Sequence, residues 1–187
     1  MSITTETITR PGYDAGTWTI DPVHSEVGFS VRHMMVSKVR GKFNVFSGDI
    51  VTGESPLDSR VTATIDLSSI DTGNQDRDNH IRSADFFDVD THKTMTFRST
   101  GVRPKGDGYV LDGELTLKGI TRPISLQLEL GGFGQDPYGG TRAGFTATGE
   151  LKRSDFGIDF QAVLETGGVV VADKVMINLE IEAVLDA

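Results

Sequence analysis

The sequence predicts an all-β protein: an eight-stranded antiparallel up-and-down barrel with one short helix and one long loop near its ends. Three observations carry this. Apolar and polar residues alternate along nearly the whole chain, which is the period of half-buried strands. The joins between alternating runs are mostly short, so sequential strands are antiparallel neighbours. No long amphipathic helix is present to cover a sheet with one oily face, and closing that sheet on itself hides the face and removes both edges.

Taken in order, a short lead-in at 17–20 precedes strands near 26–33, 39–53, 60–71, 95–104, 108–119, 122–132, 142–152 and 173–185. The clearest series is Val175, Ile177, Leu179, Ile181, Ala183, Leu185. One run changes phase. Phe43 and Val45 sit on odd numbers, Phe46, Gly48 and Ile50 on even ones, so a β-bulge near Val45–Phe46 is expected inside the strand 39–53. Lys105-Gly106-Asp107-Gly108 reads as a tight hairpin turn, and 131–140 (GGFGQDPYGG) as a longer hairpin loop. Segment 74–87 reads as a short helix capped by Asn74, with Asp76 and Asp78 in its first turn. Its Ile81, Ala84 and Phe87 form an apolar face that could lid one barrel end. Residues 154–172 read as a long loop containing one helical turn, and loops of that length are usually functional.

Composition narrows the function classes. The chain has 187 residues, no Cys, 22 Gly and a net charge of −9. One barrel domain over 17–187, after a flexible segment 1–16, suits that length. The acidic balance argues against nucleic acid, and an acidic, non-basic surface gives no electrostatic reason to dock on an anionic membrane. No window approaches the ~18 apolar residues of a membrane helix, so stable membrane insertion is not expected. The first twenty residues lack an apolar signal core, and a cytoplasmic protein is expected.

A barrel of this size either fills with side chains or holds one small ligand. Ala63, Ser99, Gly113, Ala147, Gly149 and Ala183 are small inward positions. They either leave a cavity or make room for Phe29, Phe43, Phe97 and Phe145. No Asp, Glu, Lys or Arg falls on the inward parity of the clean strands. A cavity so walled would reject a charged ligand and gain about 0.8 kcal/mol per buried methylene of an aliphatic one. The expected wall is Phe29, Val31, Phe43, Ile65, Phe97, Leu115, Leu126, Leu128, Phe145, Leu151, Ile177 and Leu179, with Phe86, Phe87, Phe156, Ile158 and Phe160 near the ends.

Several motifs are similar to those of the YceI-like family of polyisoprenoid-binding proteins. They are Thr19-Ile20-Asp21-Pro22-Val23-His24-Ser25, Val39-Arg40-Gly41-Lys42-Phe43, and Arg77-Asp78-Asn79-His80-Ile81 leading to Asp85-Phe86-Phe87-Asp88. Gly113 to Pro123 (GELTLKGITRP) and Arg153-Ser154-Asp155-Phe156-Gly157-Ile158 complete the set, which spans about nine-tenths of the chain. The resemblance implies a lipocalin-like barrel, an extended apolar pocket for a long-chain isoprenoid or fatty amphiphile, no catalytic residues, no cofactor and often a homodimer. Many similar proteins look periplasmic.

Other readings stay open at this level. A barrel isomerase or hydrolase acting on a small apolar substrate would need an inward polar pair. Asp21, His24 and Ser25 offer a hydrolase composition without a nucleophile elbow. A filled-core stress-response module is a third reading. His24, His33, His80 and His92 lack helical zinc spacing, although His24, His33 and His80 could meet at a strand end. No metal site is expected. The polar run 76–80 either holds a ligand head group or caps its own helix.

Overall fold

The computed structural model describes residues 12–34, 36–160 and 171–186. Its strands, in chain order, are β1 (Gly16–Ile20), β2 (Glu26–His33), β3 (Ser37–Phe43), β4 (Phe46–Thr52), β5 (Arg60–Asp66) and β6 (Ile70–Asp71). They continue as β7 (Thr94–Lys105), β8 (Gly108–Leu117), β9 (Ile120–Gln135), β10 (Thr141–Lys152) and β11 (Val171–Leu185). A closed ring of eight antiparallel strands runs β1-β4-β5-β7-β8-β9-β10-β11 and returns from β11 to β1. The expected barrel is therefore present, and the supposed lead-in is one of its staves.

Three staves are broken at one level. β1 and β2 lie end to end along the same edge of β11, with Ile20 opposite Ala183 and Glu26 opposite Glu180. β3 pairs with β2 and β6, whereas β4 pairs with β1 and β5. The single strand expected over 39–53 is thus two strands, and the one over 60–71 is β5, a 3-10 turn at Leu67–Ser69 and β6. The phase slip near Val45–Phe46 is a corner, not a bulge inside one strand. There the Asn44 and Val45 amides leave the ladder to donate to the Ser69 carbonyl (3.1 Å) and Ser69 Oγ (3.0 Å).

Residues 21–25 bridge the first break with side chains. The Asp21 amide donates to the Glu182 carbonyl at 2.8 Å. Ser25 Oγ accepts from the Glu182 amide at 2.9 Å and donates to its carbonyl at 3.1 Å. A serine hydroxyl stands in for the ladder partner that the broken strand cannot supply.

Turns follow their glycines. The β7–β8 hairpin turns on Gly106 (φ +57°) and Asp107. The β8–β9 hairpin turns on Lys118 (φ +53°) and Gly119 (φ +76°), the paired positive-φ geometry that matches strand twist. That turn lies two residues ahead of the expected break between 119 and 122, because Leu117 and Ile120 are already a cross-strand pair. The loop expected at 131–140 is also shorter. Pairing persists from Gly132 to Gln135 past a bulge at Gly131, and Asp136 closes the tip by accepting from the Tyr138 and Gly140 amides.

The helix α1 (Gln75–Arg82) is capped as the sequence predicts, with the Arg77 amide 2.9 Å from Asn74 Oδ1. It ends at Ser83, so Ala84 is exposed and lies outside it, while Ile81 and Phe87 pack on the main core. This end of the barrel, with the β2–β3 and β8–β9 turns and the 3-10 turn Arg153–Phe156, is called the helix end below. At the other end Trp18, fully buried, donates from Nε1 to Thr52 Oγ1 at 2.9 Å and packs edge-on to Phe133. Of the expected flexible segment 1–16, residues 1–11 lie outside the described residues. Tyr13 donates to the Gly53 carbonyl at 2.7 Å. Of the expected long loop, residues 161–170 also lie outside the described residues.

Candidate functional site

The inward side chains do not fill the barrel. A cavity of about 710 Å³ runs through it, within the usual size range of ligand pockets. Phe29 and Val31 of β2, Phe43 of β3, Ile65 of β5, Phe97 of β7 and Leu115 of β8 line it. Leu126 and Leu128 of β9, Phe145 and Leu151 of β10, and Ile177 and Leu179 of β11 complete the strand wall. Phe86, Phe87, Ile158 and Phe160 lie on it at the helix end. Phe156 does not. The 3-10 turn ending at Gly157 (φ +69°) turns its ring into the packed core, where it is 1% exposed.

Both readings of the small residues hold at once. A Cβ on Gly113 would come 2.4 Å from the Phe97 ring, and one on Gly41 2.4 Å from Phe29. These glycines therefore let rings lie against the wall. Ala63 and Ala147, by contrast, border the cavity themselves. Large rings on glycine backbone and small residues elsewhere leave the bore open.

Charged and imidazole groups gather at the helix end, and none of them was on the expected wall. Arg153, Arg77, Asp76, His80 and His33 all border the cavity, and Arg32, exposed on the outer face of β2, reaches its rim. Arg153 corrects the expectation of an interior without ionised groups. It is 5% exposed, and its guanidinium donates to the carbonyls of Ala172 (2.9 Å), Ile158, Phe160 and Val171 (3.2 Å each). Burial pushes its pKa down, opposed by the charges of Asp173 and Asp159. Parity along strands missed it because it enters from a turn. Its guanidinium carbon lies 6.0 Å from the Phe86 ring, within an aromatic group in which His80, Phe86 and Phe160 meet at 5.1–5.3 Å.

The run 76–80 divides its work. Asp78 is buried and accepts from the Thr72 amide and hydroxyl, and Arg77 donates to Thr72 Oγ1 and O at 2.8 Å. His80 Nε2 lies 2.8 Å from Asp85 Oδ2.

On the outer wall, Asp21, His24 and Glu182 are the one group of three potential metal ligands among the described residues. Arg142 already lies among them, 2.9 Å from Asp21 and from Asp136 and 3.4 Å from Glu182. His24 Nδ1 is 2.7 Å from Asp21, and this contact with Arg142 holds the Asp21 carboxyl well below the usual range. The Arg142 guanidinium thus supplies a positive charge shared among three carboxylates. Ser25 Oγ is engaged by the Glu182 backbone, so Asp21, His24 and Ser25 make a clasp across the strand break rather than a nucleophile relay. His24 is held there, and does not meet His33 and His80 at the helix end.

Comparison with known proteins agrees with this geometry. The model of the YceI-like domain matches residues 18–183. The UPF0312 protein VPA0850 of Vibrio parahaemolyticus is 42% identical over 151 residues, covering 79% of this chain and 80% of its own. A UPF0312 protein of Vibrio vulnificus, VVA0736, is 44% identical over 137 residues, 72% of each chain. Among solved structures, BcnA of Burkholderia cenocepacia superposes with a TM-score of 0.73 at 25% identity, over 87% of this chain and 98% of that one. A polyisoprenoid binding domain from Saccharophagus degradans shares the fold, with a TM-score of 0.69 at 18% identity over 92% of this chain and 100% of its own.

Proposed function

The chain belongs to the YceI-like domain family, and from that premise we propose that it binds a long-chain isoprenoid or similar amphiphilic lipid inside the barrel, sequestering or carrying it without catalysis. The observation that carries the reading is the bore itself: about 710 Å³, walled by Phe, Leu, Ile and Val from every stave. Each methylene that enters gains about 0.8 kcal/mol, while a polar solute would lose its water for few partners. The charged and imidazole groups of the lining all lie at the helix end, which suits a molecule with one polar terminus. The structural neighbour named for polyisoprenoid binding supports the same ligand class by its fold. A cytoplasmic setting and a homodimer are parts of this reading.

Native mass spectrometry of the purified protein, followed by titration with a prenyl alcohol, tests it. A bound lipid or a saturable prenyl complex is expected. Ala147→Phe, at a cavity-lining position on β10, should weaken binding at least tenfold, while Thr148→Phe on the outer face should not. Absence of any prenyl, quinone or fatty ligand, or equal affinity in both variants, would overturn the proposal.

A further inference from the structure

The charge of −9 is unevenly spread. Register places cations side by side on the outer face at the helix end. Lys152 of β10 is opposite Lys174 of β11, and Arg32 of β2 is opposite Lys38 of β3. A bulge on β11 sets residues 172–174 against Arg32, so the four form one row across four adjacent strands. Arg40 follows on β3, and all five are exposed. Of these, only Lys174 has a carboxylate within ion-pair distance among the described residues, Glu150 at 3.5 Å.

The same corner collects apolar surface. The β2–β3 turn presents Val36 (83% exposed) and Met34 (43%), and Met176 (40%) lies on the outer face between Ser30 and Glu150. These are three of the six exposed large apolar side chains among the described residues, and the turn continues directly from Val31 and His33 of the cavity wall.

We infer that this corner docks the barrel on an anionic phospholipid surface. With strands about 4.8 Å apart, the row spans roughly 14 Å on a convex face, an array matched to many head groups and not to one bound phosphate. The apolar turn beside it supplies the shallow insertion that peripheral lipid binding uses, which a nucleic-acid backbone would not require. Screening over about 8 Å at physiological salt lets this local face act despite the acidic remainder, whose repulsion orients the helix end toward the bilayer. The inference concerns the outer surface and stands whether or not the cavity holds a lipid.

Cosedimentation with vesicles tests it, comparing pure phosphatidylcholine with equal parts phosphatidylcholine and phosphatidylglycerol. The protein should bind only the anionic vesicles and release as salt rises. At about fivefold per cation, Lys38→Gln/Arg40→Gln/Lys152→Gln should weaken binding about a hundredfold. Val36→Ser, at a turn where the side chain is 83% exposed, should weaken it several-fold with the salt dependence unchanged. Thermal unfolding and cavity-ligand binding should stay at wild-type values in both, which separates failure here from failure of the lipid-cavity reading. No binding to anionic vesicles, equal binding to neutral ones, or unchanged binding by the triple variant would overturn the inference. So would tight binding to duplex DNA unaffected by Val36→Ser.

Discussion

At the scale of single residues, Arg153 is the informative case. A guanidinium so deeply placed needs several acceptors, and four backbone carbonyls supply them. They belong to Ile158, Phe160, Val171 and Ala172, so one side chain joins the turn after β10 to the start of β11. Arg153→Met would keep the bulk and strand those carbonyls. A loss of about 2–4 kcal/mol in urea unfolding is expected, and Arg153→Lys should recover little of it, since one ammonium cannot span the fork. The residue stands in a motif quoted from the sequence alone, but the motif did not reveal its burial. Phe156, three positions on, shows the same limit. Both lie in the 3-10 turn after β10, and alternation says nothing about which way a turn points its side chains.

At the scale of elements, the broken staves explain why the D-P-V-H-S segment has its composition. Pro22 cannot donate to a ladder, so the chain must leave β11 there and rejoin it. Asp21 and Ser25 manage both contacts with Glu182. Ser25→Ala should cost about 1–2 kcal/mol by leaving the Glu182 amide unpaired. Faster hydrogen exchange at Glu182 than at Ile177 would localise the effect to the break. The helix was legible through its cap, because Asn74 acts within four residues of sequence. The corner at 44–45 was legible only as a phase change: a bulge and a corner shift parity alike. Only the partners of β3 and β4 tell them apart.

For the whole molecule, one charged clasp ties distant segments together: Asp21 and His24 after β1, Asp136 and Arg142 around the β9–β10 tip, and Glu182 on β11. The carboxyls of Asp21 and Asp136 are both held below their ordinary values, Asp21 chiefly by His24 and then Arg142, Asp136 chiefly by Arg142. A depressed folded pKa stabilises the fold above the ordinary value of about 4, and that stability is lost as pH falls toward the folded pKa. Asp21→Asn should therefore lower the Tm at pH 7, with the gap from wild type closing progressively below pH 4. A gap that is independent of pH would show that the charge is not the source.

The sequence alone determined the barrel, its antiparallel order and sixteen of the residues that line the cavity. Alternation is local: a strand with one oily face must hide it, and inward parity then names Phe97, Leu126 or Ile177 without knowledge of any neighbour. Tertiary structure decided the rest. Whether the bore stays open depends on Phe97 lying over Gly113 and Phe29 over Gly41, contacts between different strands. The cation row exists only because register aligns Lys152, Lys174, Arg32 and Lys38, residues up to 142 positions apart in the chain. Periodicity speaks for one strand at a time, whereas packing and charge are properties of strands placed side by side.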